Sequence, residues 1–183
     1  MGLKWLFTTM FSVLLHPEAF WNDQGKGRVE VNAMKDYAAP VIAVVQLVKL
    51  PLVGVPKSAM IMAIVSFIID VAVLYVLSGA IASVVGHDRG ETVQDDILTM
   101  LCYALTPLWL VEPFYFVGSW RWLFLVAALL HTVLILKPGL RFTLGSESPH
   151  IEALTVKSSL LTMVATLASF TAITGLLRIF TSL

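Results

Sequence analysis

A single cysteine, Cys102, lies in an apolar run of this chain. One thiol can close no internal disulfide and build no Cys-based zinc site, so neither holds the fold together. Charge is scarce as well: Asp, Glu, Lys and Arg make up 13% of 183 residues, with 12 of each sign. Without a basic excess there is no footprint for nucleic acid, and without an acidic run there is no solvated tail. The signatures HExxH, CxxC, GxxxxGKS/T and GxSxG are all missing. The four histidines, His16, His87, His131 and His150, are too scattered to suggest a ligand set. Nothing pairs a nucleophile with a base, so the expectation is a non-enzyme with no cofactor and no metal.

Hydrocarbon is what the chain has in plenty. Hydrophobic residues are 58% of the total and mean hydropathy is +0.87, far from the usual soluble balance of roughly half apolar and about a quarter charged. A soluble fold of this size could not hide so much apolar surface. The class expected is all-α, a polytopic bundle in a membrane. Crossing a bilayer core takes about 20 apolar residues of helix, and five stretches qualify: 37–55, 59–85, 95–117, 120–137 and 158–180. No internal repeat or long linker divides them, so 1–183 is read as one domain.

Residues 1–36 precede the spans. Leu3, Leu6, Phe7, Met10, Phe11 and Leu14 recur at helical spacing with Lys4, Thr8 and Ser12 opposite, the pattern of an amphipathic helix at the membrane interface. Pro17 suits the first turn of a second short helix carrying Phe20 and Trp21. No small-x-small cleavage site follows, and Leu6 stands where myristoylation needs Ser or Thr. The start is therefore read as retained. Residues 22–36 read as a solvated loop.

Gly86-His87-Asp88-Arg89-Gly90 stops the second span, and Pro138-Gly139 is expected to close the fourth, leaving 140–156 as a polar loop. Pro107 and Pro113 should kink or break the third span. Asp95 and Asp96 read as capping residues at its start. With the amino terminus inside, the inner segments hold Lys4, Lys26, Arg28, Lys35, Arg89, Lys137, Arg141 and Lys157, against Lys49, Lys57, Arg121 and Arg178 outside. This asymmetry predicts a cytoplasmic amino terminus and a carboxyl terminus across the membrane. For a prokaryotic chain that membrane would be the inner, cytoplasmic one.

Four ionisable groups fall inside the spans. An unpaired charge at the bilayer centre costs about 2.5–3.5 kcal/mol on insertion scales, so Lys49, Asp70, Glu112 and His131 should face the interior. At about 1.5 Å per residue, Asp70 and His131 both reach the middle, while Lys49 and Glu112 share the outer half. Two pairs are expected, Asp70 with His131 and Lys49 with Glu112. They read either as a polar seam that holds a proton, ion or lipid head group, or as packed pairs that fix helix register. Ala165, Ala168, Ala172 and Gly175 form a small-residue stripe that permits close helix approach, as do Gly79 and Ser83. Membrane lipids are the expected partners, with a protein partner or second copy held through such faces.

His16-Pro17 followed by Phe20-Trp21, five spans, and Tyr103 with Thr106-Pro107-Leu108 in the third resemble the Yip (Ypt/Rab-interacting protein) family of small polytopic membrane proteins, particularly its prokaryotic branch. Asp36 with Pro40 and Tyr103 with Pro107 match the spacing of the family's motifs, while Cys102 stands where the family has Gly. The resemblance implies five membrane helices with a cytosolic amino terminus, tied in eukaryotes to vesicle traffic and GTPase binding. Three functions are in view: a Yip-type protein that organises membrane or partner proteins, a small transporter using the polar seam, and an accessory subunit of a larger membrane complex.

Overall fold

A computed structural model describes residues 2–24, 32–53, 56–85, 91–145 and 151–181. His87, His150 and the glycine-flanked stop at 86–90 lie outside them, as do residues 25–31 of the expected first loop; the rest of that loop is largely helical instead, in α2 as far as Gln24 and again from Ala33. The described chain is helical throughout. It runs α1 (Leu3–Leu15), α2 (Pro17–Gln24), a π-helical turn (Met34–Ala38), α3 (Ala39–Val53), α4 (Pro56–Val85), α5 (Glu91–Ala104), α6 (Thr106–Val111), 3-10 turns over Glu112–Phe116 and Gly118–Trp120, α7 (Arg121–Leu144) and α8 (Ile151–Thr181). Five stretches are long and apolar enough to cross a membrane: Met34–Val53, Lys57–Val85, Val93–Phe116, Gly118–Leu144 and Ile151–Leu176. Their outward faces carry Leu47, Val48, Ile64, Ile68, Val76, Leu123, Val126, Leu130, Leu134, Leu160 and Val164. So large an exposed apolar surface suits acyl chains rather than water. Below, the near side is the end of the bundle holding Met34, Val85 and Leu144, and the far side is the other.

The third span is the centre of the bundle. From Met100 to Trp109 every residue is buried, on all sides of the helix, as a helix ringed by neighbours requires. It breaks where its prolines fall. Pro107 cannot donate to Tyr103 O, and the Thr106 hydroxyl takes that carbonyl at 2.7 Å. Pro113 cannot reach Trp109 O, which the Glu112 backbone N–H takes instead. Because Thr106 Oγ1 already donates, Tyr37 Oη, 2.9 Å away, must be the donor to it. Thr106→Val strands both the Tyr103 carbonyl and the Tyr37 hydroxyl, each unmet group costing about 1–3 kcal/mol. The expected result is a clearly lower melting temperature of the detergent-solubilised protein, with Thr106→Ser close to wild type.

Three sequence expectations are corrected. Helix α7 passes through Pro138-Gly139 to Leu144, and α8 begins at Ile151, so only 145–150 separate them. Proline removes one donor, while continuing the helix buries Leu140 and Leu144. Gly139 marks a close approach instead: a Cβ built there would lie 2.8 Å from Met100 Cγ and 3.0 Å from the Trp21 ring. Asp95 and Asp96 do not cap α5, which starts at Glu91; they sit exposed in its second turn. Of the small-residue stripe only Ala165 packs against the core. Ala168 and Ala172 are exposed and nothing lies within 4 Å of a Cβ on Gly175, whereas Ser158, Thr162, Thr166, Phe170 and Ile173 turn inward.

Helices α1 and α2 double back at His16-Pro17. Trp5 in α1 meets Tyr37 with ring centroids 6.5 Å apart, and Trp21 and Phe20 in α2 meet Tyr103, at 6.0 and 5.0 Å. Tyr37 and Tyr103 themselves lie 4.7 Å apart. Both arms of the hairpin thus rest on one aromatic cluster at the start of the first span and the middle of the third. Trp21 and Tyr103 meet in this cluster, and Thr106, next to Pro107, joins it through Tyr37, whereas His16 and Pro17 form the turn between the two arms.

Candidate functional site

Three elements bring four polar side chains together inside the apolar bundle. Helix α3 contributes Gln46 and Lys49, one turn apart on its buried face. Helix α4 contributes Asp70, in the inward row Met62, Ser66, Asp70, Leu74 and Leu77. The broken third span contributes Glu112, the first residue of its 3-10 turn. Exposures are 4% for Gln46, 3% for Lys49, 4% for Asp70 and 3% for Glu112, so the group sits out of contact with lipid. This is where a charge in a membrane helix has to go.

The bonding is dense. Lys49 Nζ forms an ion pair with Glu112 Oε2. Gln46 Nε2 donates to Asp70 Oδ2 at 3.0 Å and to Glu112 Oε2 at 3.2 Å, bridging the two carboxyl groups with one amide. Gln46 Oε1 is buried and has no hydrogen-bond partner. The proline break has a direct part here, because the turn that takes up Trp109 O through the Glu112 amide also sets Glu112 opposite α3.

The expected pair of Lys49 with Glu112 is present. Asp70 and His131 are not partners: the His131 ring Nε2 lies 2.9 Å from Leu14 O, in the hairpin, and Asp70 faces Gln46. Equal depth along two helices carries no information about which way each helix is turned, and the depth estimate could not see this. Gln46 was the residue sequence reading missed. Its signal was a lone amide inside an apolar stretch, three residues before Lys49 and therefore on the same helix face.

Two open clefts lie at the near side. One, of about 580 Å3, is lined by Asn32, Lys35, Tyr75, Asp95 and Thr99 among others; the second, of about 370 Å3, is lined by Glu18, Trp21, Asn22 and Arg141 among others. Among the described residues no three His, Cys, Asp or Glu side chains are grouped as a metal site would need.

The fold and this site define an all-α bundle with five helices suited to a membrane and an ionic cluster sealed within it. Compared with known proteins, the chain matches no family model, no curated protein and no solved structure.

Proposed function

We propose that this chain is a non-enzymatic integral membrane protein that takes up a proton, or a small cation in its place, at Gln46, Lys49, Asp70 and Glu112: a small transporter or permeation protein. The observation that carries this reading is the charge balance. Two carboxyl groups face one ammonium in a site closed to water, so one negative charge is left for a mobile cation to neutralise. A register-fixing pair would need only Lys49 and Glu112. The unmatched Gln46 Oε1 adds an oxygen acceptor beside the carboxylates, the ligand type hard cations take. The quartet lies toward the far side, with Lys49 and Glu112 each about 6 Å of helix rise from the far-side ends of their spans at Val53 and Phe116.

Asp70→Asn keeps size and hydrogen-bonding capacity and removes the surplus carboxyl. In proteoliposomes under an imposed pH or sodium gradient, wild type is expected to dissipate the gradient and Asp70→Asn to lose that flux, with unchanged folding and insertion. Equal flux from both proteins, or none from either, would reduce the quartet to a structural pin.

A second reading is a Yip-type role in organising membrane or partner proteins, and a specific observation favours it. Phe20, Trp21, Tyr103 and Thr106, part of the set that carries the resemblance, gather where the hairpin docks on the third span. The exposed Ala168 and Ala172 row on α8 is the face such a partner, or a second copy, would use. Recovery of a stoichiometric partner in mild detergent, lost on Ala168→Leu, supports this reading.

A further inference from the structure

The hairpin plays no part in the quartet, and its depth can be read from the helices it touches. His131 is ten residues into α7, about 15 Å from the far-side start and about 20 Å from the near-side end. A bilayer core is about 30 Å thick, so His131 stands close to its centre. There it meets the carbonyl of Leu14, at the tip of the hairpin. The other end of α1 is at the near side, where Trp5 contacts Tyr37 in the opening turn of the first span. Nine residues from Trp5 to Leu14 rise about 14 Å, half the hydrocarbon thickness. Helix α2 then returns, and Trp21 packs on Phe142, two residues before α7 ends.

The hydrogen bonding at the tip is what a helix end in hydrocarbon needs, where no water can satisfy its last carbonyls. His16 N–H takes Ser12 O, and the His131 ring takes Leu14 O. Pro17 opens α2 with no donor to strand, and Phe20 N–H takes His16 O. The Thr8 hydroxyl is satisfied on Lys4 O within its own helix. Leu6, Thr9 and Val13 face the bundle, while Leu3, Phe7, Phe11 and Leu15, at 69%, 46%, 55% and 67% exposure, form one outward row. Besides that apolar row the outward side shows Thr8, whose hydroxyl is bound within the helix, and the one charge of α1, Lys4, lies at the near-side end.

We infer that the α1–α2 hairpin is a wedge in one leaflet, its outer row packed among acyl chains, so that the protein favours and promotes membrane that is convex on the near side. Among the described residues, the near half of the bilayer holds the five spans plus α1 and α2, and the far half holds the five spans alone. Extra cross-section in one leaflet expands that leaflet and bends the sheet toward it. This stands independently of ion uptake at the quartet.

Two measurements on the full chain decide it. Nitroxide labels placed one at a time at Leu3, Phe7, Phe11 and Leu15, in a Cys102→Ala background, report depth in phosphatidylcholine vesicles. The expected result is oxygen accessibility rising steadily from residue 3 to residue 15, whereas equal shallow depth at all four overturns the inference. Fluorescent protein reconstituted into a mixture of small and large phosphatidylcholine vesicles is expected to be several-fold denser per unit area on the small ones. The variant Phe7→Ala/Phe11→Ala, altering only exposed side chains, should lose most of that preference. Deep labels with no preference for small vesicles would leave the hairpin in place and overturn its role as a wedge. Asp70→Asn should keep the preference even where it loses flux, which separates failure of this inference from failure of the transport reading.

Discussion

Lys49→Met is expected to destabilise the detergent-solubilised protein by about 3–5 kcal/mol, the usual cost of removing one partner from a buried ion pair. The ammonium is the only cation at the quartet. Without it Asp70 and Glu112 face each other across the single amide of Gln46, with two carboxyl groups and nothing to neutralise them. Removing the opposing charge as well, in Lys49→Met/Glu112→Leu, should recover most of the loss, because a well-packed apolar pair often replaces a buried ion pair at little cost. Thermal unfolding of the three proteins in one detergent checks this. A single substitution costing under about 1 kcal/mol would mean the site is hydrated and screened as a surface pair is.

The second large effect is expected at Gly139. Any side chain there enters space held by Met100 and the Trp21 indole, with contacts of 2.8 and 3.0 Å from the Cβ alone. Met100 is flexible and can retreat. Trp21 cannot, being fixed by Phe20, Tyr103 and Phe142 with ring centroids 5.2 to 6.0 Å away. Gly139→Ala gains up to about 1 kcal/mol of helix propensity, which offsets much of its steric cost. Gly139→Leu gains a similar propensity but puts three further carbons into occupied space, and should cost about 3 kcal/mol, the upper end for overpacking. The damage should be local: melting falls, and a label on α2 becomes accessible from water while labels on α4 and α8 do not change. If Gly139→Leu melts like wild type, the hairpin does not dock where the structure places it.

Legibility in the sequence followed the kind of physics involved. Spans of apolar residues are a one-dimensional property, and the five membrane helices were readable from residue type alone. The break at Pro107 and Pro113 was readable for the same reason, since each proline lacks a specific donor wherever it stands. The pairing of Lys49 with Glu112 came from depth, which counts residues along a helix. Depth failed for Asp70 and His131 because the rotation of each helix about its axis decides partners at a given level, and rotation is set by packing. Pro138-Gly139 was misread because proline and glycine mark helix ends in water. Within a bundle the same two residues allow a helix to continue and to lie against an indole.

Composition and hydropathy by themselves determined that this chain is a bundle of membrane-crossing helices with a few costly charges turned inward, because hydrocarbon tolerates little else. Only the tertiary structure decided which charges meet, that an uncharged amide joins two carboxyl groups beside one ammonium, and that His131 serves the tip of a hairpin instead of Asp70. Those outcomes depend on how helices are rotated and how deep a short segment reaches, and both arise from side-chain contacts between residues far apart in the chain.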